Sequence, residues 1–249
     1  MTDLDWEVAG EGDRAFLLIH CGLGDRSFWD HVVPELAKDG RVVTYDQRAF
    51  GKSPDPAGSF SPAQDAVEVL DAAKVDRAVV VGCSYGARVA LETALEYPER
   101  VERLVLVSGP GEDDEGLARQ LEKVDDLLEE GDFDAANAIE VEVWAHGASE
   151  DALAWVTAQN RVLLERQAEL EHEPVFAEPD ALKRLGEVRA PTLVLLGERD
   201  QPSTIRTAKR VAESVPDGRA IDVPAAGHLL GREQPEALVD AVRRFAGIA

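Results

Sequence analysis

Residues 78–86 read Ala78-Val79-Val80-Val81-Gly82-Cys83-Ser84-Tyr85-Gly86. The β-branched run Val79–Val81 predicts a buried strand. It stops at a G-x-S-x-G pattern, and a segment of helical period, Ala87 to Tyr97, begins at once. Strand, sharp turn, helix is the context in which this pattern forms a nucleophile elbow, with the serine hydroxyl raised at the turn. The glycines have a steric task, because a Cβ two residues either side of Ser84 would meet neighbouring backbone. Ser84 would sit at a helix N-terminus, where free N–H groups favour negative charge. A serine capping a helix after a buried strand would look the same, so the choice depends on partners elsewhere.

Two partners lie downstream. Pro191-Thr-Leu-Val-Leu-Leu-Gly-Glu-Arg-Asp200 is an apolar strand running into a loop that ends on an acid, and Arg219-Ala-Ile-Asp-Val-Pro-Ala-Ala-Gly-His228 is a shorter strand leading to a histidine. A serine hydroxyl is a weak nucleophile until a base takes its proton, and that base needs a carboxylate to fix its tautomer. The chain order Ser84, Asp200, His228 suits those three roles. Of the five histidines only His20 and His228 stand at strand ends; His31, His146 and His172 fall in helical or loop segments and are expected to be solvated. Phe16-Leu-Leu-Ile-His20-Cys-Gly-Leu-Gly24 supplies a glycine-bearing loop after another buried strand. Its Gly22 N–H and that of Tyr85, the residue after the nucleophile, are the candidate oxyanion donors. His20 reads as an anchor of that loop.

These motifs, with Tyr45-Asp46-Gln-Arg48-Ala-Phe-Gly51-Lys-Ser53, resemble in kind and order those of the α/β-hydrolase superfamily, in its group of small enzymes with a helical cap. The resemblance spans nearly the whole chain. It implies an α/β-hydrolase fold: a mostly parallel sheet flanked by helices, with an inserted helical cap. It also implies a serine hydrolase acting on an ester or lactone through an acyl-enzyme, with no cofactor and no metal. The Cys21-Gly-Leu-Gly loop with Ser27-Phe-Trp is similar to the enol-lactonases, and Asp46-Gln-Arg48 to the proline iminopeptidases. A peptidase or a C–C bond hydrolase is therefore an alternative, as is a cofactor-free haloperoxidase or a slow ligand receptor. Branches that use aspartate as nucleophile are disfavoured by Ser84. Cys21 and Ala49 stand where the family usually has glycine.

The 249 residues suffice for one α/β domain with an insertion. Apolar strands are expected near 14–19, 41–45, 77–82, 103–108, 191–196 and 219–223, with a single strand in Leu4–Ala9. Alternation of such strands with amphipathic helices implies a parallel sheet covered on both faces. Residues 1–110 and 181–249 read as the core. Residues 111–180 hold helical segments at 117–130, 134–144 and 151–171, and read as a cap whose removal would leave Ser84, Asp200 and His228 assembled. Leu23, Phe28, Trp144, Trp155 and Phe176 are candidates for the pocket wall; each aromatic equally suits plain packing between helices.

The formal charge of −23, from 49 acidic and 26 basic residues, argues against nucleic acid as a partner. No apolar stretch is long enough for a bilayer and no leader is apparent, so a cytoplasmic protein with a small-molecule substrate is expected, a homodimer being compatible. Lysine occurs only at 38, 52, 74, 123, 183 and 209. Both a saline cytoplasm and GC-rich coding would produce that bias. Cys21 and Cys83, the only cysteines, flank the two loops, either as small buried fillers or as a redox pair.

Overall fold

The computed structural model describes residues 2–111, 115–170, 172, 174–175 and 180–248. Seven strands form one sheet: β1 (Trp6–Ala9), β2 (Ala15–Ile19), β3 (Arg41–Tyr45), β4 (Ala78–Cys83), β5 (Val101–Val107), β6 (Thr192–Gly197) and β7 (Gly218–Val223), in the order β1-β3-β2-β4-β5-β6-β7. Only β1 runs antiparallel, against β3; every other pairing is parallel. The six expected strands are found within two residues of the boundaries read from sequence, and the single N-terminal strand is the antiparallel edge.

The period-two alternation of strand side chains divides the core. Leu17, Ile19, Val80, Leu104 and Leu106 face one apolar layer, while Phe16, Leu18, Val79, Val81, Val105 and Val107 face the other. The first layer is closed by α2 (Pro62–Ala72), α3 (Tyr85–Glu96) and α7 (Pro202–Ser214). The second is closed by α1 (Val33–Leu36) and α9 (Pro235–Phe245), with α8 (Leu230–Glu233) just before α9. Because both faces are covered, the central strands are continuous apolar runs with every residue of β2, β4 and β6 buried.

After β5 come three helices, α4 (Glu115–Glu129), α5 (Phe133–Trp144) and α6 (Glu150–Gln167). Asp132 and Ser149 cap α5 and α6 by accepting the N–H groups of Ala135 and Ala152, as short oxygen-bearing side chains do at N-caps. The three helices share a small apolar cluster of Val124, Ala136 and Leu164. Among the described residues, no helix is long and apolar enough to cross a membrane.

Candidate active site

Ser84 lies between the end of β4 and the start of α3 with φ +54° and ψ −116°, outside the regions an L-residue prefers. The surroundings hold that conformation. The Ser84 N–H donates to the Val107 carbonyl at 2.9 Å, and the Ser84 carbonyl accepts from Ala87 and Arg88 at 2.9 and 3.2 Å. A Cβ on Gly82 would stand 2.1 Å from the Gly86 oxygen, and one on Gly86 would stand 2.4 Å from the carbonyls of both Ile19 and His20. The two glycines thus let α3 start directly against β4 and the loop after β2.

The histidine and the acid converge on this turn. Nε2 of His228 is 2.8 Å from Ser84 Oγ, and Nδ1 is 2.9 and 3.0 Å from the two Asp200 oxygens. A proton on Nδ1 donates to the carboxylate, which leaves Nε2 to accept the serine hydroxyl. The Asp200 side chain is fully buried and that of His228 is 4% exposed. Asp200 Oδ1 also accepts the Gln201 N–H at 2.7 Å. Gly197 permits the loops after β6 and β7 to touch, because a Cβ there would fall 2.2 Å from the Gly227 carbonyl.

Glu233, which the sequence reading did not single out, grips the histidine loop. Its two oxygens accept the N–H groups of Gly227 and Leu229, the residues on either side of His228, each at 3.0 Å. Burial raises the Glu233 pKa, while the two N–H groups oppose the rise. From the other side Trp144 packs over the imidazole, with 4.6 Å between ring centroids.

Gly22 and Tyr85 are neighbours: a Cβ on Gly22 would lie 3.3 Å from that of Tyr85. Tyr85 is the first residue of α3, where helix geometry gives a backbone N–H no acceptor within the helix. His20 is a fully buried anchor. Its Nδ1 is 2.7 Å from the Cys21 carbonyl, its Nε2 accepts the Gln47 N–H at 3.0 Å, and the Gln47 amide donates to the His20 carbonyl at 2.9 Å. Burial lowers its pKa, so the ring is held neutral. Asp46 ties the same turn together by accepting from Arg26 at 2.9 Å and from Lys52 at 2.8 Å. Ala49 takes φ +69°, the conformation that a glycine would adopt at lower cost. Cys21 and Cys83 are free thiols with no exposed surface.

Among the described residues, one cavity opens on the serine and another adjoins Tyr85. The first, about 150 Å³, is lined by Ser84, Tyr85, Arg88, Trp144, Thr204 and His228 among others. The second, about 350 Å³, lies beyond Tyr85 against Gly22, Phe50, Phe60 and Leu170. Of the five side chains expected in a pocket wall, Trp144 lines the first cavity. Leu23, Phe28 and Trp155 are not among the residues that line these two cavities. Phe28 is fully buried against Trp29 and Trp155. Trp155 donates its indole N–H to Ser27 Oγ at 2.9 Å, with the Arg232 guanidinium over its ring. Phe176 lies outside the described residues. Phe50, in the Asp46 turn, and Arg88, one turn after Ser84, were legible as neighbours of the motifs but were not singled out.

Comparison with known proteins agrees with this architecture. Residues 16–241 match the model of the alpha/beta hydrolase family. RutD of Azorhizobium caulinodans, which carries the name of a carbamate hydrolase, is 30% identical, with 99% of this chain and 96% of that protein covered. A 3-oxoadipate enol-lactonase of Acinetobacter baylyi is 25% identical, covering 96% of this chain and 91% of the relative. The crystal structure of a hydrolase from Pseudomonas aeruginosa superposes with a TM-score of 0.81 at 27% identity, over 97% of this chain and 93% of that one. The chain belongs to the alpha/beta hydrolase family and is a hydrolase built on that fold.

Proposed function

We propose that this hydrolase cleaves a carboxylic ester or lactone of a small molecule through an acyl-enzyme on Ser84. The observation that carries the reading is the continuous hydrogen-bonded run from Ser84 Oγ through His228 to Asp200. In the first half-reaction Ser84 Oγ attacks the carbonyl carbon while its proton passes to His228 Nε2. The new imidazolium keeps its Nδ1 proton on Asp200, whose charge stabilises it. The carbonyl electron pair moves to oxygen, where the N–H groups of Gly22 and Tyr85 receive it; one such donor is typically worth about 3–4 kcal/mol. Collapse expels the alkoxide, which leaves with the proton from His228. In the second half-reaction water gives a proton to the same nitrogen as it attacks the acyl carbon; the bond to Ser84 Oγ then breaks, the serine takes that proton back from His228, and the acid is released. The 111–180 segment acts as a cap over the carboxyl ends of the strands, where open α/β sheets take their ligands.

Support for a lactone or ester comes from the likeness to the enol-lactonase. Carbamate hydrolysis is the second reading, favoured by the likeness to RutD over nearly the full length of both chains; it would use the same attack on a carbonyl carbon. The test is a panel of p-nitrophenyl esters of graded acyl length, an aliphatic lactone and an aryl carbamate, with mass spectrometry of the quenched enzyme. Ester or lactone turnover with an acyl adduct on Ser84 supports the first reading. Turnover of the carbamate alone favours the second, and tight binding without turnover would point to a receptor and against both.

A further inference from the structure

We propose that Trp144 takes part in the chemistry as the π partner of His228, stabilising the imidazolium that forms when Ser84 gives up its proton; this rests on the Ser84–His228 reaction proposed above. Nδ1 of the imidazole meets Asp200 at 2.9 Å and Nε2 meets Ser84 Oγ at 2.8 Å, so both nitrogens are engaged at the edge of the ring. The indole of Trp144 lies against the ring itself, with 4.6 Å between centroids and 38° between planes. Neither ring is edge-on to the other at that angle. The face of an indole carries excess negative charge and attracts a cation within about 6 Å of its centroid. As Oγ bonds to the carbonyl carbon, its proton passes to Nε2 and the carbonyl electron pair moves to oxygen, so the imidazole gains a full positive charge. The neutral ring gains little from the indole, and the imidazolium gains more. An interaction that strengthens on the way to the transition state raises kcat rather than substrate affinity.

The surroundings give the contact weight and hold it in place. The Asp200 side chain has no exposed surface and that of His228 is 4% exposed, so the charge develops where little water competes with the indole. Trp144 is the last residue of α5, and the backbone just before it is tied to the acid loop. The Gln201 side-chain amide donates to the Val143 carbonyl at 2.6 Å, while the Gln201 N–H donates to Asp200 Oδ1 at 2.7 Å. Contacts therefore close a ring, from His228 to Asp200, through Gln201 to Val143, and from Trp144 back to His228. One residue of the acid loop thus sets both the carboxylate and the indole relative to the imidazole. Asp200 remains the larger stabiliser, because a full charge at hydrogen-bond distance outweighs the quadrupole of a ring. Trp144 adds to it from a direction that no in-plane partner can use.

The experiment replaces Trp144 alone, by site-specific incorporation, with tryptophans carrying one to four ring fluorines. Fluorine drains charge from the ring face while nearly keeping its shape, so packing is held constant as the electrostatic attraction is stepped down. We expect kcat for p-nitrophenyl acetate and for p-nitrophenyl butyrate to fall steadily with fluorine number, by the same factor for both esters and with KM little changed. The whole series should span about 3–30-fold, the scale of a cation over an indole face. Trp144→Leu should lose at least as much, and Trp144→Phe less. The same fluorinated residues at Trp6, on the edge strand β1, should leave kcat as it is. A kcat that stays flat along the fluorine series, with the acyl adduct on Ser84 still forming, overturns the π role while the ester reading stands. A change in KM alone, or in one ester only, makes Trp144 a wall of the pocket and overturns it as well. A wild type that turns over neither ester overturns the reaction on which the proposal rests.

Discussion

Trp155 donates its indole N–H to the hydroxyl of Ser27 at 2.9 Å, so a helix of the 111–180 segment is bolted to the loop that carries Gly22. A Cβ on Gly24 would lie 2.7 Å from the same indole, so the ring fits only against bare backbone. Arg232 adds a second bolt, donating to the Ser27 carbonyl at 2.9 Å and to Asp151 at 3.0 Å. With Trp144 over His228, the helices after β5 therefore help to hold the loops that surround Ser84.

The first prediction follows from that bolt. Trp155→Phe keeps most of the packing but loses the hydrogen bond, and should lower kcat by about 3–10-fold for acetate and longer esters alike, on the scale of one neutral hydrogen bond. Trp155→Ala should cost more and also lower the melting temperature, since truncating a large aromatic typically costs about 3–5 kcal/mol. Rates for an ester series against Trp155→Phe would check this. A loss confined to long acyl chains would mean that Trp155 lines the pocket after all.

The second concerns the hydrogen-bonded run itself. Ser84→Ala and His228→Ala should each lower kcat by about 10⁴ or more, and the double variant should lose little beyond either, because groups that act as a unit are not additive. Asp200→Asn should be nearly as severe. An amide facing His228 Nδ1 favours the tautomer with the proton on Nε2, which cannot accept from Ser84. Steady-state rates with a fluorogenic ester decide the matter; an active Asp200→Asn would show that another acid orients the ring.

Much of this was legible in the chain because it depends on local rules. Val79–Val81, Leu193–Leu196 and Phe16–Ile19 are strands buried on both faces, and such strands announce themselves as unbroken apolar runs. The turn at Ser84 declares itself through glycines that the backbone sterically requires. The pocket was not legible. Phe28 and Trp155 sit beside the right motifs, but whether an aromatic points into a cavity or between helices depends on how α6 docks, which no local pattern encodes. Glu233 was missed for a similar reason. Its partners are backbone N–H groups four and six residues upstream, and a contact to backbone leaves no complementary residue type to notice.

Glu233 gives the third prediction. By accepting the N–H groups on both sides of His228, it fixes the height of the imidazole above Ser84. Glu233→Gln retains one oxygen acceptor and turns an NH2 toward the other N–H, leaving a half-buried donor unpaired. We expect kcat to fall about 10–100-fold with KM little changed, the usual scale for a small misplacement of a reacting group. Glu233→Asp, which keeps both oxygens on a shorter stem, should recover part of the loss. Full activity in Glu233→Gln, or a rise in KM alone, would remove Glu233 from the positioning of His228.

The last prediction concerns the two thiols. A link between Cys21 and Cys83 would need a thiolate to begin the exchange. Both side chains are sealed, and burial pushes the Cys21 pKa up to about 12 and that of Cys83 well above the usual thiol range. At pH 8 the thiolate fraction of Cys21 would be about 10⁻⁴, too small for redox sensing. Cys83 spends its S–H on the His228 carbonyl, with 3.9 Å from sulfur to oxygen, which makes it a filler with one weak bond. Native protein should therefore resist Ellman's reagent at pH 8, with both thiols reacting once guanidinium chloride unfolds the chain. Diamide should leave ester hydrolysis unchanged, and Cys83→Ala should stay within a few-fold of the wild-type rate. Rapid labelling of the folded protein, with parallel loss of activity that dithiothreitol restores, would show that the loops open far enough to expose the pair and would reinstate a redox role.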